Sequence, residues 1–169
     1  MTMTTKLGRW LKSVLKWALL FVLISTAVDW YRRPVQPEPQ AYHLRNLAGQ
    51  SFSLAERSQA EPIVLYFWGT WCPICTLTSP NMQQLMDAGI PVISVAMQSG
   101  DDATVAEYLA EKGYAFETVN DADGALSSLW GVKVTPTVVI VYQGKMQASV
   151  TGYTSYWGMR ARLWLERIL

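Results

Sequence analysis

Residues Ile63–Cys75 read IVLYFWGTWCPIC, and this stretch decides the fold. Ile63 to Trp68 is an unbroken apolar and aromatic run. Its lack of polar alternation predicts a strand buried on both faces of a sheet. Trp71-Cys72-Pro73-Ile74-Cys75 follows at once, and Pro73 to Ala88 suits a helix that Gly89 stops. A C-x-x-C pair set between a buried strand and a helix start is a redox signal. Two intervening residues let the sulfurs bond within one helical turn. The first cysteine then takes the helix N-terminus, where free N–H groups and the positive dipole end favour thiolate and lower the thiol pKa from about 8.5. Cys72 is therefore expected as the nucleophile, open to a partner at the outer tip of the helix. Cys75, one turn deeper, resolves the mixed disulfide. Pro73 at the first helical position gives up only an N–H that has no partner there.

Outward from the motif, strand and helix patterns alternate. Pro91 to Met97 (PVISVAM) predicts a second buried strand, and Asp101-Asp102 opens a helix that runs to Lys112 and ends at Gly113. A short helix is expected over Gly124–Trp130. Thr137 to Tyr142, the Gln143-Gly144 turn and Lys145 to Thr151 read as a hairpin. Ser155 can cap a last amphipathic helix ending at Leu169, whose Trp157, Leu163, Trp164 and Ile168 are expected on its buried and near-membrane faces. Ahead of Ile63, short strands are expected over Tyr42–Leu47 and around Phe52. The alternation predicts an α/β layer fold, and the terminal hairpin makes its sheet mixed.

Composition narrows the function. The chain has 169 residues, 50% apolar and only 16% charged, with a net charge of +1, two cysteines and one histidine. That balance excludes a disordered chain and argues against nucleic acid as a partner. Two cysteines and His43 do not make a four-ligand zinc site without carboxylates, and no metal set is assigned. Two readings compete with redox chemistry. A merely stabilising bridge gains little from so short a loop. A copper-handling module would use the cysteine pair with His43, Met82 or Met86, although no spacing points to them. Met82 and Met86 suit gap-filling under the sheet. Trp68 is expected in the core, and Trp71 is expected to shape the site surface.

Charge is unevenly placed. The first 16 residues hold Lys6, Arg9, Lys12 and Lys16 and no acid, and Trp17 to Val28 (WALLFVLISTAV) is uncharged. From Ala41 to Leu169 there are 8 basic and 11 acidic side chains, a net of −3. Residues 1–33 are therefore read as a basic cytoplasmic flank and a hydrophobic transmembrane helix, reaching 18 residues if Leu11 to Val28 is counted with its two lysines. A cleaved signal peptide, with small residues at Ser25-Thr26-Ala27, is the rival. Either way the remainder is exported, which in a bacterium means the periplasm. Residues 34–40 (PVQPEPQ) are expected to form an extended linker holding the domain roughly 20 Å off the membrane. The domain proper is expected over 41–169.

At these residues the chain resembles the thioredoxin superfamily. FWGTWCPIC (Phe67 to Cys75) is similar to its active-site segment, and Pro80 falls where a kink proline is found in the active-site helix. Gly131 to Thr137 (GVKVTPT) resembles the segment carrying a cis-proline, and Gly144, Lys145 and Gly152 continue the likeness. The leader His43 to Glu56 (HLRNLAGQSFSLAE) resembles that of the membrane-anchored branch, whose bacterial members serve cytochrome c maturation and copper tolerance.

The resemblance implies a three-layer thioredoxin-like sandwich. It also implies a thiol-disulfide oxidoreductase, leaning to reductant, with the Cys72–Cys75 disulfide as its redox centre and no other cofactor. Partners would be exported protein thiols and disulfides and a transmembrane electron donor. Trp71, Pro73, Thr135 and Pro136 would meet the substrate, the cis Thr135-Pro136 bond leaving the Thr135 backbone free for β-type pairing beside Cys72. A disulfide-inserting oxidase remains the alternative direction. Two departures from the family pattern stand out. Tyr66 occupies the place of a buried acid before the motif, and Thr78 that of a glutamate after it.

Overall fold

The structure, a computed structural model, describes residues 13, 15–20, 23–24 and 34–166. The described residues of the N-terminal segment are helical and exposed. Half of the expected membrane span, Leu11 to Val28, lies outside the described residues, and among those described no helix is long and apolar enough to cross a membrane.

The second compact unit begins at Arg33. Its centre is a five-stranded mixed sheet in the order β5-β4-β3-β6-β7, with β3 at Ile63–Trp68, β4 at Val92–Met97, β5 at Glu117–Asp121, β6 at Thr137–Tyr142 and β7 at Lys145–Thr151. The β3–β4 and β4–β5 pairs are parallel, whereas β3–β6 and β6–β7 are antiparallel. A separate hairpin joins β1 (His43–Arg45) to β2 (Ser51–Ser53). The helices are α1 at Leu54–Arg57, α2 at Pro73–Asp87, α3 at Asp102–Lys112, α4 at Ala125–Leu129 and α5 at Tyr156–Glu166.

All six residues of β3 are buried, as an apolar run in mid-sheet requires. They alternate between two cores. Val64, Tyr66 and Trp68 pack with Met82 and Leu85 of α2, Val105 and Leu109 of α3, and Met159 and Leu163 of α5. Ile63, Leu65 and Phe67 face Leu44 of β1, Leu54 of α1 and Trp130 after α4. This gives three layers with the sheet between them. The helix ends follow local chemistry. Asp101 Oδ1 accepts from Thr104 N at 2.8 Å at the start of α3, which holds that carboxyl below its ordinary range. Gly113 takes the left-handed conformation at its end, with φ of 66°.

Several expectations need correction. The proline segment is no free spacer, because Pro34 and Pro37 are buried and Val35 N donates to Trp130 O at 3.1 Å. Gln36 bonds the Tyr42 hydroxyl and accepts from Met146 N at 2.9 Å. The segment is thus a strap on the domain, since a proline-rich chain still keeps carbonyls, side chains and apolar rings to pack. Its last residues, with Tyr42, form a 3-10 turn at Pro39–Tyr42, so β1 begins only at His43. Strand β5 and helix α1 were not foreseen. Trp157 and Trp164 are exposed, Leu163 alone of the expected set is buried, and Ile168 lies outside the described residues.

Candidate active site

The site is built where β3 runs out. Gly69, Thr70 and Trp71 turn the chain from Trp68 into α2, and Cys72 caps that helix in an extended conformation (φ −95°, ψ 107°). Cys72 Sγ accepts a hydrogen bond from Cys75 N at 3.2 Å. The two cysteines form a disulfide with their Cα atoms 5.3 Å apart. Pro73 occupies the first turn as expected, and no acid stands in that turn to offset the helix dipole.

The pair lies shallower at Cys72 than at Cys75, with 4% and 1% exposure. That corrects the expectation of an open sulfur. Cys72 Sγ turns inward to its mate and to the Cys75 N–H, and the residue counts with the core of Tyr66, Trp68 and Met159. The surface around the pair is supplied instead by Trp71, 54% exposed, with Pro73 and Ile74.

Trp71 is fixed by contacts that sequence does not reveal. Its Nε1 donates to Met97 O at 3.1 Å and to Gln98 O at 3.2 Å, at the end of β4. Its ring lies over Gly69 so closely that a Cβ there would stand 2.7 Å from Trp71 Cε2. Thr70 N donates to Ser99 Oγ at 3.0 Å, tying the turn to the same loop.

The two departures from the family pattern are both buried. The Tyr66 hydroxyl and Ser79 Oγ lie 2.9 Å apart between β3 and α2. Burial pushes the Tyr66 hydroxyl well above its ordinary range, and the Ser79 hydrogen bond opposes this in part. Thr78 Oγ1 donates to Ile74 O at 3.1 Å within the helix. Neither position carries an acid.

The Thr135-Pro136 bond is cis. Thr137 pairs with Phe67, so Pro136 enters the sheet at the end where the cysteine loop leaves it. Thr135 is half-buried, and its Oγ1 has no hydrogen-bond partner among the described residues. Gly152 N donates to Pro136 O at 2.8 Å. The residues weighed for copper are not brought together: Met82 is buried under the sheet on the α2 side, whereas His43 is exposed on the hairpin of the other layer. Among the described residues no group of three His, Cys, Asp or Glu side chains is placed to hold a metal.

The comparisons agree with this geometry. The AhpC/TSA family pattern matches residues 36–149. A thioredoxin-like protein of Haemophilus influenzae is 45% identical over 159 residues, 94% of this chain and 95% of that one. The thiol:disulfide interchange protein DsbE of Pseudomonas aeruginosa is 27% identical, over 65% of this chain and 59% of its own. Among solved structures, a secreted Mycobacterium tuberculosis disulfide oxidoreductase superposes with a TM-score of 0.64 at 25% identity, covering 74% of this chain and 96% of that one. On the family match, the relatives and the bonded cysteine pair at the head of α2, the chain belongs to the AhpC/TSA family and is a thioredoxin-like thiol-disulfide oxidoreductase.

Proposed function

We propose that the protein is a membrane-tethered reductant of exported protein disulfides, acting through Cys72 and Cys75. The carrying observation is the Cys72–Cys75 bond at the N-terminus of α2, at the sheet end where cis Pro136 enters. In the reduced protein the Cys72 thiolate attacks a client disulfide. One client sulfur leaves as a thiolate and takes up a proton. Cys75 then loses its proton and attacks Cys72 Sγ, which releases the second client thiolate. The client gains two electrons; its two thiolates take up two protons, balanced by the one Cys72 gave up on ionising and the one Cys75 loses, and the protein is left as the Cys72–Cys75 disulfide. The cysteine pair is the whole redox centre and calls for no further cofactor.

Cys72 is assigned the first attack because it caps the helix and is the less covered of the two. Trp71, Pro73, Thr135 and Pro136 are assigned to the client-binding surface. With no carboxylate at positions 66 and 78, the Cys75 proton leaves to water or through hydroxyl groups. The charge pattern of residues 1–33 supports an inner-membrane anchor with the domain in the periplasm, and an oxidising compartment then requires a transmembrane electron donor to restore the thiols. Service in copper tolerance is a further reading, resting only on the likeness of the His43–Glu56 leader to the membrane-anchored branch.

The reduction potential tests the direction. A value below about −200 mV supports the reductant, and one near about −120 mV makes the protein a disulfide-inserting oxidase. Insulin-disulfide reduction by the full chain, lost in Cys72→Ser, tests the chemistry itself. Tight copper binding without turnover would instead favour the copper module.

A further inference from the structure

Exposed apolar side chains continue from the cysteine pair on to a second helix. Neither 69–81 nor 150–158 contains an Asp, Glu, Lys or Arg. Within them Leu77, Tyr153 and Trp157 are 64%, 59% and 75% exposed. One side chain joins the two segments. Asn81 Nδ2 donates to Leu77 O and to Thr154 O, each at 3.2 Å. On the far side, Gly152 N donates to Pro136 O, so the same loop is tied to the cis-proline. Trp157 stands edge-on to Tyr156 with ring centroids 5.1 Å apart, and Tyr156 itself packs on the core.

We propose that Leu77, Tyr153 and Trp157 form an apolar ledge that selects polypeptide clients with a bulky apolar side chain close to the reacting cysteine. This rests on the reading of Cys72 as the group that attacks a client disulfide. Continuity with the reacting pair names the occupant: a chain held at Cys72 meets exposed apolar area on this side, bordered on α5 by Arg160, whose Nη1 donates to the Tyr156 hydroxyl at 3.1 Å, and by Arg162, whose Nη1 donates to Gly158 O at 3.0 Å. From Cys72 to Leu77 the helix rises about 7.5 Å. An extended client covers that in two or three residues at about 3.3 Å each. The favoured side chain therefore lies roughly two to four residues from the client cysteine.

The test compares two disulfide-linked peptides that differ only three residues from the cysteine, one with phenylalanine and one with serine, together with oxidised glutathione. The full chain is used, as wild type, as Leu77→Ser/Tyr153→Ser/Trp157→Ser, and as Trp164→Ser, an exposed tryptophan two turns further along α5. Wild type is expected to reduce the phenylalanine peptide about tenfold faster, the size of burying one bulky apolar side chain. The triple variant loses that preference, Trp164→Ser keeps it, and all three reduce glutathione disulfide equally. A preference retained in the triple variant overturns the ledge. So does a wild-type dimer that the triple substitution converts to monomer, or preference lost only through vesicle binding. If wild type reduces neither peptide nor glutathione disulfide, the exchange reading fails, and the ledge fails with it. A triple variant that also loses glutathione reduction is replaced by the single Trp157→Ser, whose retained preference contradicts the proposal.

Discussion

The Tyr66 hydroxyl meets Ser79 Oγ at 2.9 Å in the space between the central strand and the active-site helix, with both residues buried. A neutral hydroxyl pair thus fills the position where the family resemblance leads one to expect a carboxylate. Desolvation favours neutral tyrosine, so its pKa in the folded chain lies above the ordinary value near 10.

That shift has a signed consequence. A folded-state pKa raised above the unfolded one contributes stability that is complete below about pH 10 and is lost as pH climbs beyond it, because only the unfolded chain then ionises. Tyr66→Phe should flatten the fall in unfolding free energy above pH 10, read from urea titrations, by up to about 1.4 kcal/mol per pH unit. At pH 7 the same variant should cost about 1 kcal/mol for the lost hydrogen bond. An unchanged alkaline slope would contradict the assignment.

Reduced Cys72 should titrate below the ordinary cysteine value. The helix N-terminus favours its thiolate, and the first turn of α2 contains no acid. The alkylation rate of the reduced protein, followed against pH, should reach half its maximum below about pH 8.5, and Cys72→Ser should abolish that phase. A midpoint at or above that value would mean that burial outweighs the dipole.

Gly69→Ala should displace Trp71. A Cβ at 2.7 Å from the indole forces the ring off the Met97 and Gln98 carbonyls. The expected cost is about 1–3 kcal/mol of stability, with a red-shifted tryptophan emission. Trp71→Phe keeps an aromatic side chain but removes the indole N–H and part of the ring, so it should cost at least about 1 kcal/mol and leave the cysteines active.

The proline strap should stabilise the domain. A chain starting at residue 41 lacks the bonds of Val35 to Trp130 and of Gln36 to Met146, which a chain starting at residue 34 retains. The shorter chain should melt roughly 5 °C lower by calorimetry. Equal melting points would return the segment to the role of a passive linker.

The strap also shows where sequence reading stopped. Three prolines in seven residues predict an extended backbone, and Glu38 has one; nothing local tells that the segment lies on Trp130 and β7. The motif, the helix over Pro73–Asp87, the buried strands and the terminal hairpin were legible because each depends on neighbours in sequence. Strand β5 escaped because Glu117-Thr118-Val119-Asn120-Asp121 carries one apolar residue, and its pairing partner β4 is remote. Helix α1 did leave a signal: Ser53 and Glu56 stand in capping-box spacing, and Ser53 Oγ accepts from Glu56 N at 3.3 Å. The Trp71 acceptors are backbone carbonyls 26 and 27 residues away, which no side-chain pattern encodes. Burial of Cys72 was missed because the helix tip alone suggests exposure, whereas the disulfide turns its sulfur inward.

The most direct test of the central claim is to trap the mixed disulfide. The full chain with Cys75→Ala is mixed in reduced form with a disulfide-bonded client, quenched with acid and mapped by peptide mass spectrometry. A stable client adduct on Cys72, absent with Cys72→Ala, is the predicted result. An adduct formed equally well through Cys75 in the Cys72→Ala protein, or none with either variant, would contradict it.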